Sequence, residues 1–251
     1  MSDAEQRPRQ IPLQLRLDQD ATMENYHVSA ANRALIDHLL TQLRAQAEPL
    51  ATNRSGSGTI LERFCWISAA ADTGRSHLLQ ALCHEADALN LPALYLPLAE
   101  LDQWQPDMLE GLETLPVLCL DDVDALAGRG EWERALFSLY NRMAESGSLL
   151  LVSASCSPRE LAVALPDLAS RLQSAAVFRL QALDDEDKMA ALKMRARARG
   201  FELSPEVLRY LMARSTRSMQ DLLTLLDRLD LHSLETGRRV TIPLLRSLMD
   251  W

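Results

Sequence analysis

Two segments of the chain carry residue types that together handle phosphate. The first is AAADTGRS, Ala69–Ser76, which follows an apolar run at Phe64–Ser68 and leads into a helical pattern from Arg75. A loop between a buried strand and a helix turns successive backbone N–H groups toward an anion. A basic side chain then neutralises the anion and a hydroxyl helps hold Mg²⁺. The full pattern is G-x-x-G-x-G-K-[ST]. Gly74 and Ser76 match it, Arg75 stands in place of Lys, and Ala69 and Asp72 replace the first two glycines. The expected ligand contacts here are Asp72, Thr73, Gly74, Arg75, Ser76 and His77. A carboxylate about 5 Å from a phosphate charge costs about 3 kcal/mol at an effective dielectric of about 20. Asp72 therefore either points to solvent or weakens nucleotide affinity. Arg75 keeps the positive charge but presents a planar fork instead of a point charge. Such a loop is expected to bind ADP or another nucleotide, and not to turn ATP over rapidly.

The second segment is VLCLDDVDAL, Val117–Leu126, four apolar residues ending in two aspartates. This is a Walker B pattern. At the C-terminal end of a strand Asp121 would face a Mg²⁺ ion shared with Ser76, and Asp122 would sit where a carboxylate orients an attacking water.

These residues need a sheet to bring them together. Short apolar runs at 64–68, 93–98, 117–120, 149–153 and 177–180 read as strands, separated by helical patterns at 75–89 and 131–146. Continuous apolar runs, without alternation, suit a parallel sheet covered on both faces. Before them, Ser29–Ala47 has apolar residues at helical spacing, and Ala51–Thr59 is a Gly/Ser-rich loop. After Leu183 the pattern is helical only. Asp184 is a candidate N-cap for a helix ending at Gly200, Pro205 begins a second, Ser218 caps a third, and Ile242–Met249 is the last. The expected organisation is a tail at 1–17, an α/β nucleotide-binding domain at 18–182 with a parallel sheet flanked by helices, and a helical lid at 183–251.

Composition narrows the function. With 26 Lys and Arg against 35 Asp and Glu, the net charge of -9 argues against direct, sequence-specific duplex binding as the main activity. No apolar run is long enough to span a bilayer, and the polar N-terminus lacks a signal-peptide core. Cys65, Cys83, Cys119 and Cys156 form no C-x-x-C pair and are expected to be reduced, mostly buried thiols. A cytoplasmic protein with no membrane partner is expected.

Further segments resemble the DnaA-related branch of AAA+ proteins, and within it the Hda type. In ENYHVSAANRAL, Glu24–Leu35, the resemblance makes Tyr26, His27 and Val28 the adenine-side residues. LLLVSASCSP, Leu149–Pro158, ends at the sensor 1 position, occupied by Ser155. LPDLASRL, Leu165–Leu172, resembles box VII, so that Arg171 matches the arginine finger that acts in trans. In TRSMQDLL, Thr216–Leu223, the sensor 2 arginine aligns with the uncharged Gln220, with Arg217 nearby. The resemblance runs from about Leu17 to Trp251. LYNRMAESG, Leu139–Gly147, and LPDLASRL look more like Hda than DnaA. QIPLQLRL, Gln10–Leu17, resembles the Q-L-x-L-x-L peptide with which Hda-type proteins dock on the sliding clamp, through Gln10, Ile11, Leu13 and Leu15.

The resemblance implies a regulatory inactivator of the replication initiator DnaA. Tethered to the clamp, it would offer Arg171 to DnaA-bound ATP, while its own nucleotide, expected to be ADP, sets its conformation or a homo-oligomeric state. Two other readings remain: a stand-alone ATPase using Asp121 and Asp122, or an AAA+ adaptor or loader for another replication machine.

Overall fold

Successive residues of a strand face opposite sides of a sheet, and here both sides are apolar. Phe64 and Trp66 pack into one core with Leu118, Leu120, Leu150 and Val152. Cys65 and Ile67 pack into another with Val117, Cys119, Leu149 and Leu151. The structure, a computed structural model, describes residues 17–48, 63–236 and 240–249. Its strands are β1 (Phe64–Ser68), β2 (Ala93–Pro97), β3 (Val117–Asp121), β4 (Leu149–Ala154) and β5 (Ala176–Arg179). They form one five-stranded sheet in the order β2-β3-β4-β1-β5, with parallel pairing throughout. Helices α1 (Arg33–Ala47) and α2 (Arg75–Ala88) cover one face; α3 (Gly130–Ser146) and α4 (Pro166–Gln173) cover the other.

The expected α/β fold is present, with shifts at element ends. β3 runs one residue further than its apolar run, to Asp121, because Pro97 of β2 still pairs with that aspartate. β5 lies one residue earlier than expected, its Ala176–Arg179 pairing with Cys65–Ser68. The first helix starts at Arg33 and not Ser29. Asn32 is buried just before it, donating from Nδ2 to the Gln181 carbonyl and accepting the Gln181 N–H at 2.8 Å each. That pair of bonds fixes the chain ahead of α1 to the segment leaving the sheet.

The remaining helices pack on themselves. They are α5 (Asp185–Ala198), α6 (Pro205–Arg214), α7 (Met219–Thr236) and α8 (Ile242–Met249). The Asp184 side chain accepts the Asp187 N–H at 2.8 Å, as an N-cap should. The Ser204 hydroxyl accepts the Val207 N–H ahead of Pro205. Leu192, Leu208, Leu211, Leu222, Leu226 and Leu245 form their common core. The expected clamp contacts Gln10, Ile11, Leu13 and Leu15 lie outside the described residues, as does the Gly/Ser loop at 51–59.

Candidate functional site

Parallel strands present their C-terminal ends on one side, and the ends of β1 and β3, on either side of β4, bring the loop at 69–76 and the two aspartates together. Gly74 closes the loop after β1 with a left-handed backbone, φ 89°, and α2 begins at Arg75. A side chain there would be strained by that φ, and a Cβ would lie 3.5 Å from the Tyr26 ring. Arg75 does not project into open space. Its Nη1 donates to the Ala69 carbonyl at 2.9 Å, and its Nη2 donates to Asp122 Oδ1 at 2.6 Å. Burial and the adjacent Asp121 charge push the Asp122 carboxyl up from its usual range, with Arg75 acting in the opposite direction.

Asp121 is buried, and both of its oxygens accept hydrogen bonds. Oδ1 accepts from the Ser153 hydroxyl and Oδ2 accepts from Tyr95 Oη at 2.7 Å. Ser153 Oγ also accepts the Asp122 N–H at 3.0 Å, so one hydroxyl from β4 fixes both aspartates. Burial and the Asp121 charge keep the Tyr95 phenol protonated far above its ordinary range, while the nearby Ser76 hydroxyl acts in the opposite direction. Ser76 and Asp121 thus both lie near the Tyr95 hydroxyl. They are hard oxygen donors of the kind that hold Mg²⁺ beside phosphate, and they fit that ion.

In front of the loop lies a cleft of about 340 Å³, lined by Tyr26, His27, Asp72 to Gly74, His77 and the lid residues Lys188, Arg195 and Gln220. Tyr26 and His77 meet edge to face at 5.2 Å. His77 Nδ1 accepts from Arg195 Nη2 at 2.7 Å, and its Nε2–H donates to the Thr22 carbonyl at 3.0 Å. Arg can only donate, so this pairing requires the neutral ring. Burial, with the Arg195 charge, lowers the His77 pKa to about 4. His27 pairs with Asp187 of α5 at 2.9 Å, tying that end of the cleft to the lid. Val28 packs against the core under α1 and α2 and does not line the cleft.

The sequence left two options for Asp72, solvent or repulsion of a phosphate, and its carboxylate takes neither simply. Oδ2 accepts the Met219 N–H at 2.7 Å and Oδ1 the Gln220 N–H at 2.9 Å, both from the first turn of α7. Arg217 does not substitute for Gln220 in the cleft; its guanidinium pairs with Asp185 at 3.3 Å. Ser155 is turned to Asp124, to which its hydroxyl donates at 2.7 Å.

Arg171 stands apart, exposed on α4, with its guanidinium 5.9 Å from the centre of the Tyr140 ring. Glu133, fully buried on α3, sets the start of that helix. Its carboxylate accepts N–H bonds from Gly128 at 2.8 Å, Ala164 at 3.0 Å and Leu165 at 2.8 Å. Burial alone would raise the Glu133 pKa, but these donors hold it below the ordinary value.

Sequence reasoning passed over Tyr95, Ser153, Lys188, Arg195 and Glu133. Tyr95 and Ser153 were readable in principle, since each puts a hydroxyl in an apolar strand near its C-terminal end. Among the described residues no helix is long and apolar enough to cross a membrane. Cys65, Cys83 and Cys119 are buried and Cys156 half-buried, with no disulfide formed.

Residues 185–249 match the family model described as "Hda, lid domain". The chain carries an Hda-type lid on a DnaA-like AAA+ fold. Domain III of the replication initiation protein DnaA from Thermotoga maritima superposes with a TM-score of 0.74 at 21% identity, over 94% of this chain and 98% of that one. AMPPCP-bound DnaA from Aquifex aeolicus gives 0.67 at 20% identity, over 87% and 68%. The RuvB Holliday junction branch migration motor of Thermotoga maritima gives 0.62 at 15% identity, over 87% and 68%. At these identities the structural likeness concerns the fold. The Hda match concerns the lid, residues 185–249.

Proposed function

We propose that this Hda-type chain is a regulatory inactivator of DnaA: it binds ADP in its own cleft and stimulates hydrolysis of ATP bound to DnaA. The observation that carries this reading is the Arg75–Asp122 pair. The cation and the water-orienting carboxylate expected for hydrolysis in this chain are engaged with each other at 2.6 Å, whereas Arg171 is exposed on another element. A chain built this way contributes to hydrolysis in trans. Arg171 would stabilise the charge that develops on the γ-phosphate of the neighbour's ATP, a role that a planar guanidinium fills well.

In the chain's own cleft, Tyr26 and His27 lie on the base side, and the loop N–H groups from Thr73 to His77 take the phosphates. Ser76 and Asp121 would hold Mg²⁺, which supplies charge neutralisation of the diphosphate when bound. Gln220 contributes no charge, in keeping with slow turnover. The tail at 1–17 would tether the α/β domain at 18–182 and the lid at 183–251 to the sliding clamp through Gln10, Ile11, Leu13 and Leu15. The bound ADP would set the conformation or oligomeric state.

The test is hydrolysis of DnaA-bound ATP, followed with and without this chain and with and without clamp-loaded DNA. Stimulation is expected only when both are present. No stimulation at saturating clamp and DnaA overturns the reading. Rapid ATP turnover by the isolated chain would instead favour a stand-alone ATPase.

A further inference from the structure

Asp72 is a departure from the phosphate-loop pattern, and its carboxylate reaches the lid. Its backbone is left-handed, φ 63°, a region open to glycine and tolerated by aspartate. In that conformation both carboxylate oxygens receive N–H groups from the first turn of α7, Met219 at 2.7 Å and Gln220 at 2.9 Å. First-turn N–H groups have no partner within their own helix, and the helix dipole favours an anion there. The other side of the same turn is held as well. Arg217 is also left-handed, φ 60°, and its carbonyl accepts from Lys188 Nζ at 2.7 Å. Non-glycine residues in this region persist where surrounding contacts over-determine them. Here one lies in the loop and the other just ahead of α7, and each makes hydrogen bonds in that conformation.

We propose that Asp72 is a positioning residue that seats the lid on the phosphate loop without any nucleotide, so that the cleft is built before its ligand arrives. A lid docked only by ligand would leave the first N–H groups of α7 open until a phosphate reached them. In this chain a carboxylate from the loop itself occupies them. This loop–lid contact therefore holds with and without nucleotide, and an incoming phosphate gains nothing from those two donors. The inference goes beyond the DnaA reading and does not depend on it.

Hydrogen–deuterium exchange of the full chain without nucleotide tests the contact, comparing the parent with Asp72→Gly and Asp72→Asn. Glycine suits the φ at this position, so the loop backbone is retained while both acceptors are lost. Hydrogen bonds to charged groups are strong enough that the Met219 and Gln220 amides should exchange at least ~10-fold faster in Asp72→Gly. Asp72→Asn should show a smaller gain, since its amide oxygen still accepts one bond, and β1 and β4 should be unaffected in both. Equal exchange in the parent and Asp72→Gly overturns the proposal. A second arm adds saturating ADP to the parent, where protection at Met219 and Gln220 should not change. A tenfold rise in protection would mean that the lid docks on the ligand, which also overturns it. Calorimetry on the same samples reports whether ADP binds. Absence of binding counts against the proposed nucleotide use, while the comparison of parent and variants still decides the role of Asp72.

Discussion

Arg75 and Asp122 neutralise each other: the guanidinium Nη2 donates to Oδ1 at 2.6 Å, and Nη1 is held by the Ala69 carbonyl. The arginine side chain is only 12% exposed, against 32% for the aspartate. A phosphate entering the loop must therefore compete with a carboxylate for its nearest cation. Asp122→Asn removes that competitor and one negative charge. At an effective dielectric of about 20 a unit charge several ångströms away is worth about 2 kcal/mol, so ADP affinity should rise on the order of tenfold or more. Calorimetry measures it; unchanged or weaker binding would show that Arg75 does not serve the phosphate. ATP turnover by the isolated variant should stay slow, since a side-chain amide cannot act as a base.

Arg171→Ala and Arg171→Lys should both lose stimulation of DnaA-bound ATP hydrolysis. An arginine finger is worth on the order of 10³ to 10⁵ in rate, and Lys lacks its planar fork. Because Arg171 is exposed and its Tyr140 contact is a loose 5.9 Å, both variants should keep near-parental thermal stability. Normal stimulation by Arg171→Ala at matched clamp occupancy would remove the finger from the mechanism.

Glu133→Ala should act on the same reaction through the fold. Removing the buried carboxylate leaves the N–H groups of Gly128, Ala164 and Leu165 without their acceptor. The loss should be about 3 kcal/mol in chemical denaturation, with faster amide exchange at the start of α4. A change under about 0.5 kcal/mol would contradict the role drawn for it.

Stability should fall on mild acidification because of His77. Its pKa in the folded protein is about 4, against an ordinary 6.5. Between these values the unfolded chain takes up a proton and the folded chain does not. The contribution of the neutral ring is thus complete above pH 6.5 and is lost as pH falls toward 4, at about 1.4 kcal/mol per pH unit and about 3 kcal/mol in all. His77→Gln should flatten this dependence in denaturant titrations at pH 7.5 and 5. An equally steep fall in the variant would place the effect elsewhere.

Replacing Gln10 and Leu15 together by Ala should abolish binding to the isolated sliding clamp and leave thermal unfolding unchanged. In the proposed mode the amide and the leucine would anchor a short extended peptide on the clamp. Parental affinity in a direct binding measurement would exclude this segment as the tether.

The sheet and the lid were legible because burial leaves a local trace. Apolar runs at Phe64–Ser68 and Val117–Leu120 need both faces of a sheet covered, and Leu222, Leu225, Leu226 and Leu229 need one helix face covered. The Asp184 cap and the Gly74 turn are equally local, since each is set by the few residues that follow it.

What the side chains of the site are bonded to was decided only in three dimensions. Asp72 lies in the loop and its partners open α7; Arg75 finds Asp122 from β3's end; Ser153 on β4 fixes both aspartates; Tyr95 on β2 donates to Asp121. A carboxylate in a phosphate loop reads in sequence as a charge facing an anion. The fold instead supplies it with two helix N–H donors, because the lid returns to the loop from more than a hundred residues away. Hydrophobic periodicity reports which face of an element is buried, whereas a polar side chain's partner depends on which distant segment the packing of those faces brings within about 3 Å.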